Sequence, residues 1–88
     1  MQYVTFTGDK LIRNSAATVL GWSISNNTGS AIVVHIHDGI DGTGEIVMRV
    51  NLVANDSKTY ASMPIPFNKG VFVDIATGSS CIGTIFVE

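Results

Sequence analysis

The clearest structural signal in this chain is the stretch Ser25-Asn26-Asn27-Thr28-Gly29-Ser30-Ala31-Ile32-Val33-Val34-His35-Ile36-His37-Asp38-Gly39. It reads as a polar turn, a run of β-branched residues, and a second turn of Asp and Gly that continues to Gly44. Apolar runs bounded by Asn, Gly, Ser and Asp are typical of short antiparallel strands joined by tight turns. The rest of the chain repeats this pattern, so we expect an all-β fold.

The length allows one domain with a small core. A chain of 88 residues buries roughly 60–65% of the surface that its unfolded form exposes, so its core is marginal. Small folds compensate with disulfides, metals or oligomerisation. The single cysteine, Cys81, excludes an intrachain disulfide. We therefore expect an oligomer.

The composition excludes several classes of partner. Charged residues make up 14% of the chain, against about 25% in an average domain, so we expect other copies or a larger assembly to cover part of the surface. The net charge is −2 and the five basic residues form no stripe, which argues against nucleic-acid binding. No apolar run approaches the roughly 20 residues that cross a bilayer, and the first residues lack a signal-peptide pattern. We expect a soluble protein made in a cytoplasm, with no membrane partner.

The spacing of apolar and turn residues predicts about seven strands and no helix. The predicted strands are Gln2–Thr7 or Lys10–Arg13 or both, then Ala17–Asn26, Ala31–His37, Glu45–Ala54, Lys58–Met63, Val71–Ala76 and Cys81–Val87. We expect a small antiparallel β-sandwich of jelly-roll or immunoglobulin-like type. Residues 15–88 would form the sandwich, and residues 1–14 an N-terminal arm or its first strand.

Alternation along the strands predicts which side chains face the core. We expect Leu20, Trp22 and Ile24 to point inward from one strand, and Ile32, Val34 and Ile36 from the next. A surplus of apolar side chains is left on the outer faces: Val33, Val47, Phe72, Ile82 and Phe86. These residues fit an oligomer interface, although scattered apolar residues are also common on ordinary surfaces. We favour the interface because the chain carries few charges.

His35-x-His37 is the sharpest candidate for chemistry. Side chains at i and i+2 of a strand leave the same face, so both imidazoles could bind one metal. Asp38, Asp41 or Glu45 could add a third ligand. A metal site needs three or four ligands, and two-residue motifs recur by accident. We therefore favour two half-exposed polar side chains and no metal cofactor, unless a trimer axis brings copies together.

The remaining motifs do not indicate catalysis. The segment Asp38–Glu45 lacks the spacing of a calcium loop, and its Asp-Gly and Thr-Gly pairs suit tight turns. Cys81 reads as a small buried hydrophobe, and no serine lies in a G-x-S-x-G motif. Trp22 and Tyr60 could stack on a sugar, but Trp22 is in phase with the core. We expect a protein that is not an enzyme.

The chain from Leu20 to Val87 resembles the small β-sandwich virion proteins of tailed bacteriophages, of the head decoration, cement or head-fibre type. The turn-and-strand motifs that carry the resemblance are Asn26-Asn27-Thr28-Gly29-Ser30-Ala31, Asp38-Gly39, Thr43-Gly44, Asn51-Leu52-Val53-Ala54, Pro66-Phe67, Gly70-Val71-Phe72-Val73-Asp74-Ile75, Thr77-Gly78 and Gly83-Thr84-Ile85-Phe86-Val87. In that pattern, His35 and His37 occupy variable polar positions.

The resemblance implies a symmetric assembly, such as a homotrimer, bound to a capsid. The expected function is a structural virion protein, a capsid decoration or cement protein that binds the outside of a phage head through the major capsid protein. The alternative is a receptor- or carbohydrate-binding module of a phage fibre or tail. Candidate oligomer or capsid interface residues are Tyr3, Phe6, Val33, Phe72, Ile82 and Phe86.

Overall fold

The computed structural model describes residues 1–61, 64–78 and 80–88. Nine β-strands form within these ranges: β1 Gln2–Phe6, β2 Lys10–Arg13, β3 Ala17–Ser25, β4 Ile32–Asp38, β5 Glu45–Leu52, β6 Ser57–Tyr60, β7 Ile65–Phe67, β8 Val71–Thr77 and β9 Ile82–Val87. Both candidate first strands are present, and β7 is an additional short strand. Met63, the predicted end of the fifth strand, lies outside the described residues. No helix long and apolar enough to span a bilayer occurs in the described part of the chain.

The strands form two antiparallel sheets that pack face to face. Sheet A contains β1-β9-β3-β6 in that order, with β7 also paired to β3, and sheet B contains β2-β8-β4-β5. Buried side chains from both sheets form one hydrophobic core, which confirms the predicted small β-sandwich. Ile32, Val34 and Ile36 of β4 are each at most 1% exposed, as their alternation predicts.

The inward positions of β3 differ from the prediction at one residue. Trp22 and Ile24 are buried as expected. Leu20 is only half-buried, whereas Val19 is fully buried. The pairing of β3 with β9 shifts register between Val19 and Gly21, and such an irregularity reverses the faces of the residues beyond it. The inward assignment of Leu20 was therefore wrong.

Residues 1–14 contribute an edge strand to each sheet. β1 pairs with β9 in sheet A, and β2 pairs with β8 in sheet B. Phe6, at the end of β1, is 3% exposed. Its ring fills the space over Gly83, where an added Cβ would clash with it. Phe6 was predicted to lie at an oligomer or capsid interface, and this prediction was wrong because alternation in β1 turns its side chain into the core.

Candidate functional site

The outer face of sheet A carries no charged side chain within its described strands. Pairing and alternation place the following side chains on it: Tyr3, Thr5, Thr18, Ser23, Ser25, Ser57, Thr59, Pro66, Ile82, Thr84 and Phe86. The outer face of sheet B, in contrast, carries His35, His37, Arg49 and Asp74. The two faces therefore suit different kinds of ligand.

Hydroxyl groups and aromatic rings together cover the outer face of sheet A. Tyr3 lies opposite Phe86, and Tyr3 and Ile82 are 70% and 56% exposed. One row across the four strands consists of Thr5, Thr84, Ser23 and Thr59. The last two are joined by a hydrogen bond of 3.1 Å between their hydroxyl oxygens. Removing a charged group from water is the largest desolvation cost. A partner can cover this face without burying any charged side chain of its described strands.

The predicted interface residues do not form one patch. Tyr3, Ile82 and Phe86 share the outer face of sheet A, whereas Val33 and Phe72 point outward from sheet B on the opposite side. Phe6 lies in the core between the sheets. The structure thus divides one predicted set between two outer faces and the core, because register and sheet membership are not visible in local alternation.

A cluster of three potential metal ligands lies on the outer face of sheet B. His35 and His37 lie on β4, and Asp74 lies opposite His35 on the neighbouring strand β8. Each residue offers one ligand atom, and these three atoms all lie within 4.8 Å of one another. The sequence analysis did not connect Asp74 with the histidines. The only signal that could have done so is the antiparallel pairing of β4 with β8.

His37 is far more buried than its sequence position suggests. We expected a half-exposed side chain, but His37 is 3% exposed. Its Nδ1 lies 2.8 Å from the Gly44 carbonyl oxygen, and its Nε2 lies 3.4 Å from Asp74 Oδ2. The rings of His35 and Phe72 lie 5.9 Å and 6.3 Å from its own, centroid to centroid. The turn that ends at Gly44 and these neighbouring rings together exclude water from it.

Two of the other carboxylates proposed as ligands, Asp38 and Asp41, are held by turns, whereas Glu45 is exposed at the start of β5. Asp38 accepts hydrogen bonds from the backbone N–H groups of Lys69 and Asn68 at 2.8 Å and 3.1 Å, and these bonds lower the pKa of its carboxyl. Asp41 accepts bonds from the hydroxyl and backbone N–H of Thr43, which likewise lower its pKa. These contacts support turn chemistry for the Asp- and Gly-rich segment rather than a calcium loop.

A shallow apolar groove lies at the open side of the sandwich between β5 and β6. Its lining includes Trp22, Tyr60, Met48 and Ile65. Trp22 is 7% exposed and Tyr60 is 55% exposed, and their rings stack at 6.0 Å between centroids. Trp22 is a core residue, as predicted, but it also forms the floor beneath an exposed tyrosine. The indole Nε1–H of Trp22 has no hydrogen-bond partner among the described residues.

Cys81 does not have the environment of a nucleophile. It is 2% exposed and belongs to the core cluster. Burial raises the pKa of its thiol, which disfavours the reactive thiolate. The prediction of a small buried hydrophobe is confirmed.

Comparison with known proteins gives no relative from which a function could be carried over. Function therefore has to be inferred from the two outer faces, the groove and the side-chain clusters of the chain itself. No protein-family model, no curated protein and no solved structure matches this chain.

Proposed function

We propose that this protein is a structural virion protein, a decoration or cement protein that binds the outside of a phage capsid as a homotrimer. The observation that carries the proposal is the uncharged outer face of sheet A, with Tyr3, Ile82 and Phe86 exposed or half-buried on it. This face is where the protein contacts the other chains of the virion, both copies of itself and the major capsid protein.

The chemistry of this face suits protein–protein contact. Aromatic side chains are enriched in interfaces and charged ones are depleted from interface cores. Tyr3 is 70% exposed, and full burial of a large apolar side chain contributes roughly 1.5–3 kcal/mol. The threonine and serine hydroxyls can donate and accept hydrogen bonds, so they adapt to a polar partner surface.

The size of the chain fits a repeated, symmetric site. A capsid presents many copies of the same shallow surface, and a symmetric oligomer binds several copies at once. Each contact then needs little affinity, because the linked contacts reinforce one another. Oligomerisation also buries apolar surface that a domain of this size leaves exposed.

The test is to purify capsids made with and without this gene and to measure whether the protein sediments with them. The key variant is Tyr3→Glu, which places a charge on the outer face of sheet A at an exposed position. Val53→Glu is the matched control, since Val53 is 67% exposed in the turn after β5. We expect Tyr3→Glu to abolish attachment and Val53→Glu to retain it. Absence of the protein from capsids, or unchanged attachment of Tyr3→Glu, would refute the proposal.

Deletion of residues 1–14 would not test the attachment surface. That deletion removes β1 and β2, including the core residues Phe6 and Ile12. Loss of two buried side chains of this size is expected to cost several kcal/mol, of about the same size as the whole stability of a small domain. The point variant keeps both strands and changes only the surface.

A second candidate function is ligand binding in a phage fibre or tail. The observation that favours it is Tyr60, which presents an exposed ring above Trp22 beside the apolar groove. Sugars bind to such aromatic faces. A glycan-array signal that Tyr60→Ala abolishes, together with no attachment to capsids, would support this function over decoration.

A further inference from the structure

We propose that His35, His37 and Asp74 bind one divalent transition-metal ion, with Zn²⁺ as the best-suited ion, on the outer face of sheet B. This site is separate from the uncharged face of sheet A and does not depend on the proposed role in the capsid. It is contained within one chain, so it needs no symmetry axis to complete it.

The backbone holds the three ligands on two neighbouring strands. His35 and His37 leave the same face of β4, because alternate residues of a strand share a face. Asp74 lies opposite His35 on β8. Their ligand atoms lie within 4.8 Å of one another. Zinc–ligand distances of about 2.0–2.2 Å would draw these atoms somewhat closer together, and rotation of the partly exposed His35 and Asp74 side chains allows this.

The hydrogen bond at Nδ1 decides what His37 can do at Nε2. The partner of Nδ1 is the carbonyl oxygen of Gly44 at 2.8 Å. A carbonyl only accepts hydrogen bonds, so Nδ1 must carry the proton. In the neutral ring, Nε2 then has a free lone pair, and it points at a carboxylate oxygen of Asp74 3.4 Å away. Two acceptors that face each other, one of them on a buried ring, repel unless a cation lies between them.

His35, the second histidine of the cluster, also has an unsatisfied ring nitrogen. The Nε2 atoms of His35 and His37 are both buried and lack a hydrogen-bond partner among the described residues. Buried polar atoms are almost always satisfied, and an unsatisfied one in a native protein calls for an explanation such as an ion. One metal ion bound by His35, His37 and Asp74 would satisfy both nitrogens and remove the repulsion.

The surroundings match those of known kinds of metal site. A metal-binding histidine usually donates its other N–H to a carbonyl or carboxylate, which fixes the ring, and the Gly44 carbonyl has this role for His37. Two nitrogens and one carboxylate are the ligands of zinc rather than of calcium or magnesium, which require oxygen. Asp74 is 28% exposed, so solvent can supply a fourth ligand.

Two side chains of opposite charge, Arg49 and Asp41, belong to segments next to the cluster. Arg49 lies across from His35 on β5, and it is exposed, so solvent screens its charge. Asp41 lies in the turn that ends at Gly44, whose carbonyl oxygen contacts His37.

The experiment is a titration of metal-free protein with ZnCl₂ by calorimetry, with CoCl₂ as a spectroscopic probe. We expect one ion per chain, a higher Tm with metal, and a cobalt absorption spectrum of nitrogen and oxygen ligands. His35→Gln and Asp74→Asn each remove one partly exposed ligand. Since loss of even a supporting group costs about 10–100-fold in affinity, we expect each variant to weaken binding at least about tenfold.

The controls separate a ligand role from a general effect on the fold. Glu45→Gln removes an exposed carboxylate from the same sheet and is expected to leave zinc affinity unchanged. Circular dichroism verifies that the variants retain their strands. His37→Gln is less useful because His37 is buried and its loss could unfold the protein. Absence of stoichiometric zinc binding would overturn the proposal. Equal affinity of Asp74→Asn and the unmodified protein would also overturn it.

Discussion

At the scale of single residues, one buried amide links two turns of the sandwich. Asn26 is 1% exposed. Its Nδ2 donates to the carbonyl oxygens of Ser30 at 2.8 Å and Val53 at 3.0 Å, and its Oδ1 accepts from the backbone N–H of Thr28. Ser30 lies between β3 and β4, and Val53 lies between β5 and β6. One side chain therefore ties together backbone from both sides of the sandwich, whereas the sequence pattern indicated only a turn residue.

We expect Asn26→Leu to lower the free energy of unfolding by about 2–4 kcal/mol, because it leaves the partly buried carbonyl oxygens of Ser30 and Val53 and the N–H of Thr28 without this partner. Urea denaturation measures the change. The matched control is Asn27→Leu at the exposed neighbouring position, where we expect less than about 0.5 kcal/mol. Equal effects at the two positions would contradict a structural role for the Asn26 hydrogen bonds.

At the scale of elements, Asp38 fastens the end of β4 to the segment before β8. Its carboxylate accepts the N–H groups of Lys69 and Asn68, and the Gly39 N–H donates to the Gly70 carbonyl oxygen at 3.2 Å. An added Cβ at Gly70 would clash with the backbone oxygens of Arg13 and Gly39. This close approach explains a glycine there and positions β8, which carries Asp74, beside β4.

Stability should fall in acid partly through Asp38. The backbone N–H groups of Lys69 and Asn68 hold its pKa below the ordinary value of 3.8. A lowered folded-state pKa means that the unfolded chain takes up the proton first. The ionised Asp38 carboxylate therefore makes its full contribution to folding stability above pH 3.8. That contribution disappears as the pH falls through the lower pKa of Asp38 in the folded state.

Urea midpoints measured across this acid range test the role of Asp38. We expect Asp38→Asn to have a smaller loss of stability on acidification than the unmodified protein. Some pH dependence will remain, since Thr43 also lowers the pKa of Asp41. Glu45→Gln, which removes an exposed carboxylate outside the Asp38 hydrogen bonds, is the control variant. An unchanged pH profile in Asp38→Asn would show that its hydrogen bonds do not stabilise the fold.

At the scale of the whole molecule, we assign a different proposed role to each outer face: protein contact to sheet A and metal binding to sheet B. The described strands of sheet A offer hydroxyl and apolar groups to other protein chains, and sheet B gathers the histidines and Asp74. The sandwich core holds the faces apart, so a change on one face should leave the other intact. A charge at Tyr3 and the loss of a ligand at Asp74 are therefore expected to have independent effects.

Self-association through an uncharged face should depend little on salt. Ionic strength weakens contacts between charged groups and has little effect on apolar ones. We expect sedimentation velocity to give the same trimer between about 0.05 and 0.5 M NaCl, a range over which the Debye length falls about threefold. Tyr3→Glu should shift the protein toward monomer. Dissociation of the unmodified protein by salt alone would indicate that charged residues form the interface.

The sequence alone determined the class of fold and, for a regular strand such as β4, which side chains face the core. The alternation of Ile32, Val34 and Ile36 and the flanking Asn, Gly and Asp turns predict a half-buried strand, because both signals act over a few residues. The buried positions of these three side chains confirm it. The same alternation of inward and outward side chains predicted that Trp22 is a core residue.

Only the tertiary structure decided which distant residues share a face. The register shift in β3 moved Leu20 out of the core, and the turn at Gly44 buried His37. The pairing of β4 with β8 brought Asp74 to the histidines. Register and sheet order depend on contacts between residues far apart in sequence, and a shift of one residue reverses every side chain. For this reason, the ligand cluster and the uncharged face were not visible in the sequence.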